Sequence, residues 1–226
     1  MILAVFSDVH GNVHSLERAL KLMEAYRPDM YVFLGDMAGY YYFQNECATL
    51  LNRLDGLVSV KGNHDDNFLK NIDKPDVLKV YGARYGMSYS LLSDNISGEC
   101  LDFLKNMRDS VITGDFEAFH GSPRGIDEYV YKETDIDFHV SAPYLFTGHT
   151  HHPLVRTGDG FTLINPGSVG QPRDHNKGSF AVVDTAAKKH ELVRFEYDRA
   201  PLFAMIEKLN DHKYLAEVLM REEKNV

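Results

Sequence analysis

Residues 2–12 read ILAVFSDVHGN, in which a short apolar run ends in a serine and is followed by Asp8 and His10, two residue types that commonly bind metals. The same arrangement recurs four times along the chain. The five segments are LAVFSDVHGN (3–12), YVFLGD (31–36), LVSVKGNHD (57–65), FEAFHG (116–121) and YLFTGHTH (144–151). Each apolar run has the length of a strand and ends at a turn residue, which is typical of strands buried on both faces.

The segments between the first three runs predict an α/β fold. Residues 14–26 carry apolar side chains at helical spacing, and residues 43–56 predict a second helix with Gly56 as its C-cap. Alternating strands and helices predict right-handed crossovers and a largely parallel central sheet. The carboxyl ends of such strands share one edge, where open α/β sheets bind their ligands.

The remainder of the chain is less regular in pattern. Residues 97–107 predict a helix with Ser97 as N-cap, and residues 79–92 fit either helix or loop. Three closely spaced runs then predict an antiparallel meander, namely 161–169, 179–186 and 190–197. Residues 201–225 predict one amphipathic helix that frays into charged residues. No linker or repeat divides the chain, so we expect a single domain over residues 1–226.

Composition excludes several classes of protein. The 226 residues carry 24 Lys and Arg against 33 Asp and Glu, a net charge of −9, which argues against nonspecific binding to nucleic acid or to an anionic membrane. The two cysteines, Cys47 and Cys100, lack CxxC spacing and predict reduced, buried thiols. Asp8 ends the first apolar run too early for a signal peptide, and no run is long enough to span a membrane. We therefore expect a cytoplasmic protein.

The side chains at the strand ends predict a binuclear metal centre. In extended backbone, Asp8 and His10 would point the same way, as would His149 and His151. Asp36 is a lone carboxylate that is able to bridge two cations. The predicted ligands are Asp8, His10, Asp36, Asn63, His120, His149 and His151. This mixture of oxygen and imidazole ligands suits Mn, Fe, Co, Ni or Zn, and the absence of thiolate disfavours a structural zinc site.

Two such ions, about 3.5–4 Å apart, would hold a bridging hydroxide and clamp the oxygens of a phosphoryl group. A group is then needed to protonate the leaving oxygen. His64 follows Asn63 directly, so an extended turn would point it away from the ligand side chain. We expect His64 to be the general acid and Asp65 to orient its imidazole.

The order of these motifs resembles that of a known family. D-x-H, G-D, G-N-H-D, H-G and G-H-T-H, from Asp8 onward to about Arg173, resemble the calcineurin-like metallophosphoesterase superfamily. The segments SDVHGN, HGSP and NPGSVGQPR look most like its compact bacterial and archaeal phosphodiesterase branch. The resemblance implies a four-layer α/β/β/α sandwich with two mixed β-sheets, and a role for His64 at the leaving group. It assigns one metal to Asp8, His10, Asp36 and His151, and the other to Asp36, Asn63, His120 and His149.

Three further residues are predicted substrate contacts. Asn12 would donate to a phosphate oxygen, with a turn-forming role as the alternative. Arg173 would bind a second phosphate, with a solvated loop arginine as the alternative. Tyr40 begins an aromatic cluster, residues 40–43, where the related branch has a glycine-proline turn. Its ring would stack on a nucleobase or, alternatively, pack within the fold or at a subunit interface.

We therefore favour a phosphodiesterase with two divalent ions, Mn before Fe, Ni, Co or Zn, acting on a small phosphodiester or nucleotide. The motifs leave two rivals open. A dinucleoside polyphosphate hydrolase would use the same metals, and a non-catalytic scaffold of the same fold would need neither the full ligand set nor His64. A homo-oligomer is compatible with the sequence.

Overall fold

The computed structural model describes residues 1–158 and 160–221. Its strands are β1 (Ile2–Phe6), β2 (Met30–Phe33), β3 (Leu57–Ser59), β4 (Val111–Ile112), β5 (Phe116–Ala118), β6 (Tyr144–Phe146), β7 (Pro153–Gly158), β8 (Phe161–Pro166), β9 (Gly178–Asp184) and β10 (Lys189–Phe195). Its α-helices are α1 (Val13–Met23), α2 (Gln44–Asn52), α3 (Asn63–Asn71), α4 (Pro75–Tyr85), α5 (Ser88–Asn95), α6 (Gly98–Asn106), α7 (Ala200–Leu209) and α8 (Lys213–Leu219).

The strands form two mixed five-stranded sheets, as the resemblance implied. The first has the order β10-β9-β1-β2-β3, in which β1, β2 and β3 run parallel. Strand β9 is antiparallel to both of its neighbours, β1 and β10. Alternation along β1 places Leu3 and Val5 in the core between the sheets, and Ala4 and Phe6 in the core beneath the helices. Both faces of β1 are therefore buried, which explains its continuous apolar sequence.

The second sheet has the order β4-β5-β6-β8-β7, with β5, β6 and β8 parallel. The predicted three-stranded meander is wrong, because β8 belongs to this sheet while β9 and β10 form a hairpin in the first. The connection from β8 to β9, residues 167–177, far exceeds the two to five residues of a hairpin loop. It carries the chain from one sheet to the other.

Several predicted boundaries also change. Helix α2 ends with Arg53 as its C-cap, and Gly56 lies in a turn before β3 with φ of 73°. The ambiguous segment forms α4 and α5, which Gly86 separates at φ of 89°. The predicted C-terminal helix is two helices, because Asn210 adopts a left-handed conformation; its fraying end, residues 222–225, lies outside the described residues. The prediction of Ser97 as the N-cap of α6 is confirmed.

Helices cover the outer face of the first sheet, while the segment between β5 and β6 packs on the second. Val130 from that segment is buried against Leu145 and Leu163 of the second sheet. Cys47 and Cys100 are free and buried, as predicted. Within residues 1–158 and 160–221, no helix is both long and apolar enough to cross a membrane.

Candidate metal centre

The ends of four strands bring six of the seven predicted ligands together in a buried cluster. One group contains Asp8, His10, Asp36 and His151, and a second contains Asp36, His120 and His149; within each, the donor atoms lie within 4.8 Å of one another. All of these side chains are buried. They follow β1, β2, β5 and β6, so the parallel strands place them at one edge of the two sheets.

The first group has the spacing of ligands around a single ion. His151 Nε2 lies 3.2 Å from His10 Nε2 and 3.1 Å from Asp8 Oδ1, and His10 Nε2 lies 3.6 Å from Asp36 Oδ2. Two atoms that each lie about 2.1 Å from one ion are about 3.0–3.4 Å apart at octahedral or tetrahedral angles. These donor atoms are therefore close to a coordinating arrangement.

The second group is centred on His120. Its Nε2 lies 3.4 Å from Asp36 Oδ2, 3.2 Å from His149 Nδ1 and 3.1 Å from Asn63 Oδ1. Asn63 thereby joins this group through its carbonyl oxygen. Asp36 Oδ2 faces the donor atoms of both groups, which is the position that a bridging carboxylate needs.

Backbone carbonyls fix the tautomers of the four histidines. In each imidazole, the ring nitrogen that points away from the cluster lies within hydrogen-bond distance of a backbone carbonyl oxygen. The nitrogen–oxygen pairs are His10–Ala38 (2.8 Å), His120–Leu34 (2.6 Å), His151–Gln171 (2.5 Å) and His149–Asp127 (3.2 Å). A carbonyl only accepts, so the outward nitrogen carries the hydrogen. In the neutral rings the inward nitrogens then present lone pairs to one another, an arrangement that a cation between them would stabilise.

The carboxylates give the same indication. Asp8 Oδ1 and Asp36 Oδ2 are buried and find no hydrogen-bond partner among the described residues. Their other oxygens are used, since Asp8 Oδ2 accepts from the His149 N–H and Asp36 Oδ1 from the His64 N–H. An unpaired buried carboxylate oxygen is costly unless it coordinates a metal or accepts a proton. The residues therefore fit divalent cations.

Without cations, protons must balance the buried charge. Burial disfavours the charged form of His120, but the carboxylates of Asp36 and Asp8 and the hydrogen bond to the Leu34 carbonyl together outweigh it and raise the pKa of His120 to about 10. Burial, reinforced by the positive charge of Arg173, lowers the pKa of His151 to about 3. Binding of a metal at the second group would therefore displace a proton from His120.

The ligands adopt an unusual backbone conformation. Asp8, His10, Asp36, His149 and His151 all have φ between 50° and 63°, in the left-handed region. The extended geometry predicted for the two Asp-x-His and His-x-His pairs is therefore wrong. Residues other than glycine seldom adopt the left-handed conformation. Those that do cluster at functional sites, where the surrounding structure enforces this conformation.

The surroundings of His64 also differ from the prediction. Asn63 begins helix α3 with Gly62 as N-cap, so His64 and Asp65 lie in the first helical turn. Gly62 is required there, because a Cβ atom would lie 2.0 Å from Asp36 Oδ1. The buried side chain of Asp65 does not orient His64: its oxygens accept from the backbone N–H groups of Asp36, Ala38 and Gly62.

The partner of His64 is a residue that sequence reasoning missed. The Tyr89 hydroxyl lies 2.6 Å from His64 Nδ1, and Tyr89 is 1% exposed. Tyr89 belongs to α5, within the segment whose pattern was ambiguous. A tyrosine at helical spacing looks like an ordinary core residue, so the sequence carried no signal for this contact.

Tyr40 is a wall of the site rather than a stacking surface. Its side chain is 4% exposed, and its ring centroid lies 4.6 Å from that of His10 and 5.1 Å from that of His64. Tyr85 contacts it edge-on at 5.6 Å. The packing alternative for Tyr40 therefore describes the structure, and the nucleobase hypothesis does not.

Asn12 has a structural role. Its Oδ1 accepts from the Ser15 N–H at the start of α1, and its Nδ2 donates to Gly170 O and to the Tyr197 hydroxyl. The side chain is fully buried, which favours the alternative of a structural, turn-forming Asn12 over the predicted phosphate contact. Arg173, in contrast, lies half-buried next to the site, beside Tyr40 and Tyr129.

Two tyrosines near the second group were not predicted. The ring centroid of Tyr129 lies 4.2 Å from that of His149, and Tyr131 stacks on Tyr129 with centroids 5.9 Å apart and planes inclined by 3°. Both are 43% exposed. They lie in the segment between β5 and β6, where no motif drew attention to them.

A two-sheet α/β fold whose strand ends carry two metal-ligand groups with a shared aspartate defines a metallophosphoesterase. The chain belongs to the calcineurin-like phosphoesterase superfamily, whose domain matches residues 1–188. The resemblance drawn from the motifs is thereby confirmed.

Individual relatives agree with this assignment. The chain is 33% identical over 237 residues to an uncharacterized protein of Methanocaldococcus jannaschii, covering 96% of this chain and 97% of the relative. A metallophosphoesterase from Sphaerobacter thermophilus superimposes with a TM-score of 0.80 at 29% identity, covering 97% and 99% of the two chains. A hypothetical protein from Pyrococcus horikoshii shares the fold, with a TM-score of 0.79 at 20% identity and coverage of 96% and 97%.

Proposed function

We propose that this protein is a phosphodiesterase that uses two divalent metal ions. The observation that carries the proposal is the position of Asp36 Oδ2, buried without a hydrogen-bond partner among the described residues and facing both ligand groups. Two ions held here would lower the pKa of a water molecule and neutralise charge on a phosphoryl group. The reaction adds water across one P–O ester bond and releases a phosphate monoester and an alcohol.

The side chains around the centre have separate tasks in this reaction. The leaving oxygen needs a proton, and His64 adjoins the ligand Asn63 with its Nδ1 held by the Tyr89 hydroxyl. Asp65 ties the start of α3 to the loop after β2 and so fixes the distance between Asn63 and Asp36. Arg173 supplies a guanidinium for a phosphate oxygen outside the metal groups.

The test is the hydrolysis of bis(p-nitrophenyl) phosphate by protein from which metals have been removed with a chelator. We expect turnover to be absent from the metal-free protein and to return with Mn²⁺, with Fe²⁺, Co²⁺, Ni²⁺ and Zn²⁺ as alternatives. Asp36→Ala prepared in parallel should stay inactive under every condition. No turnover by the wild type with any of these ions would count against the phosphodiesterase.

A dinucleoside polyphosphate hydrolase is the second candidate. Arg173 beside the exposed Tyr129 favours it, because such a substrate offers both extra phosphates and bases. The ratio of kcat/KM for a dinucleoside tetraphosphate to that for a simple diester separates the two. A ratio well above one would move the assignment to phosphoanhydride cleavage.

The scaffold hypothesis has less support. A scaffold has no need of a buried, complete ligand set, whereas this chain retains every predicted ligand together with His64 and its partner Tyr89. Cytoplasmic location, a homo-oligomer and the preference for Mn stay predictions.

A further inference from the structure

We propose that Tyr129 and Tyr131 form a stacking platform for the base of a nucleotide, and that the substrate is therefore a nucleotide phosphodiester or polyphosphate rather than a simple ester. This inference rests on the proposed function, because it assigns the reacting phosphoryl group to the metal centre. The two side chains are called the tyrosine platform below.

The tyrosine platform lies directly beside a metal ligand. Tyr129 covers the ring of His149, a ligand of the second group, at 4.2 Å, and Tyr131 continues outward from Tyr129. Tyr131 in turn faces His152 at 6.2 Å. A row of aromatic rings thus leads from the metal ligand His149 to solvent.

Both tyrosine side chains of the platform are exposed to solvent. Among the large apolar side chains exposed on the described part of the chain, the two aromatic ones are Tyr129 and Tyr131, each at 43%. Their near-parallel rings remain partly exposed next to a polar, charged site. Bases stack on such surfaces with little regard to sequence, since every base has a π-face.

The backbone that carries the two tyrosines is fixed by contacts within the protein. Val130, between the two tyrosines, is 1% exposed and packs on the second sheet, while Tyr129 and Tyr131 on either side of it are exposed, so this segment is anchored to the core through Val130. Tyr131 N–H donates to Thr134 Oγ1, and Arg156 Nη1 donates to Thr134 O. The carbonyl of Asp127 accepts from His149 Nε2, which links the same segment to the metal ligand. The platform is therefore held in place before a ligand arrives.

A positively charged side chain, Arg173, adjoins the tyrosine platform. Arg173 lies beside Tyr129, and among the described residues no carboxylate pairs with its guanidinium. Arg124, in contrast, is paired with Glu128 and Asp137. A cation between the platform and the metal centre suits the phosphates of a nucleotide.

Tyr131 gives the cleanest test because its ring lies 5.9 Å from Tyr129 and contacts no metal ligand directly. Two diesters with the same leaving group are compared, thymidine 5′-(p-nitrophenyl) phosphate and methyl p-nitrophenyl phosphate. For Tyr131→Leu we expect kcat/KM on the nucleotide ester to fall roughly 5- to 150-fold, as loss of one base-stacking contact predicts. The methyl ester should change less than about twofold, Tyr131→Phe should retain the preference, and Tyr26→Leu, on a remote tyrosine, should have no effect.

Binding provides the second measurement. Titration of the metal-loaded protein with adenosine monophosphate should give a Kd for Tyr131→Leu that is weaker by the same factor, while the Kd for inorganic phosphate stays unchanged. Equal losses on both esters, or an unchanged nucleotide affinity, would overturn the platform. Hydrolysis of the methyl ester by the wild type would leave the phosphodiesterase standing in either case, whereas no hydrolysis of any diester would reject the phosphodiesterase itself.

Discussion

The Tyr89 hydroxyl lies 2.6 Å from Nδ1 of His64, and this contact takes the place that the sequence had suggested for Asp65. Both side chains are buried, with exposures of 1% and 6%. Burial lowers the pKa of His64 to about 3 in the ligand-free protein, so the ring is neutral there and one of its nitrogens is an acceptor. The negative charge of a bound phosphodiester would raise this pKa and so let His64 take up the proton that it donates. The hydroxyl fixes the orientation of the ring whichever tautomer is present.

Tyr89→Phe removes that hydroxyl and keeps the ring. We expect kcat to fall about 10-fold on a diester with an alkyl leaving group, because the imidazole that protonates it loses its positioning contact. On a p-nitrophenyl ester, whose leaving group departs without a proton, the loss should be less than about threefold. Steady-state kinetics on the two esters gives the comparison, and equal losses would point to a merely structural role.

His64→Ala tests the acid directly. We expect about 10²- to 10⁴-fold lower kcat on the alkyl ester, the usual contribution of general acid catalysis, with metal content by mass spectrometry unchanged. Adding Tyr89→Phe in this background should cost nothing further, since the two residues act as a unit. His190→Ala, at an exposed position on β10, is the control. Loss of bound metal in His64→Ala would instead make His64 a ligand.

Asp36→Ala should impair both metal groups at once. Its Oδ2 lies 3.6 Å from His10 Nε2 and 3.4 Å from His120 Nε2, so one substitution removes a donor from each group. Substitution of a residue that merely supports a metal ligand already lowers metal affinity by up to about 100-fold. Because Asp36 is itself a predicted ligand of both ions, we expect the affinity for each ion to fall by at least about 100-fold. Calorimetric titration with Mn²⁺ measures this, with the exposed Asp109→Ala as control. A variant that still binds two ions tightly would contradict the bridging role.

The strand-end pattern was sufficient to predict the parallel strands β1, β2 and β3 and the gathering of the Asp and His side chains at one edge, because both follow from local sequence and the geometry of parallel strands, whereas the two-sheet architecture was implied only by the family resemblance. Other features depend on contacts between distant segments. The left-handed backbone at Asp8 and His149 is enforced by its surroundings, and no residue preference announces it. Periodicity indicated that β8 is a strand but not which sheet it joins, and it gave no reason to pair Tyr89 with His64.

Asp65→Asn should destabilise the fold. The carboxylate accepts from three backbone N–H groups, of Asp36, Ala38 and Gly62, and an amide would turn its own NH₂ toward at least one of them. We expect a loss of about 2–4 kcal/mol in the free energy of unfolding, from weakened charge-assisted hydrogen bonds. Urea denaturation of metal-free protein measures it without a contribution from metal binding.

The matched control is Asp66→Asn in the same helical turn. Asp66 contacts the exposed Lys70, and surface pairs of this kind contribute little, so we expect a change below about 0.5 kcal/mol. Similar values for the two variants would show that the backbone contacts of Asp65 carry no special weight.

Glu117 provides a pH test at a carboxyl group that is not one of the metal ligands. Its Oε1 accepts from the N–H and hydroxyl of Ser141 and from the N–H of Ala142. Burial alone would raise the pKa of Glu117, but these donors favour the carboxylate and lower it overall. A carboxyl whose pKa is depressed in the folded state stabilises the fold above its unfolded pKa, about 4.3, and loses that contribution as the pH falls through the folded value.

Glu117→Gln should therefore cost about 1–3 kcal/mol near pH 6, and the difference from wild type should shrink steadily below about pH 4.5. Unfolding of both metal-free proteins in urea between pH 6 and pH 3 gives the curve, and the difference cancels titrations that the two share. Glu207→Gln, at an exposed position of α7, should show no such slope. A difference for Glu117→Gln that stays constant across the range would mean that the packing of the side chain, and not its charge, holds the segment before β6.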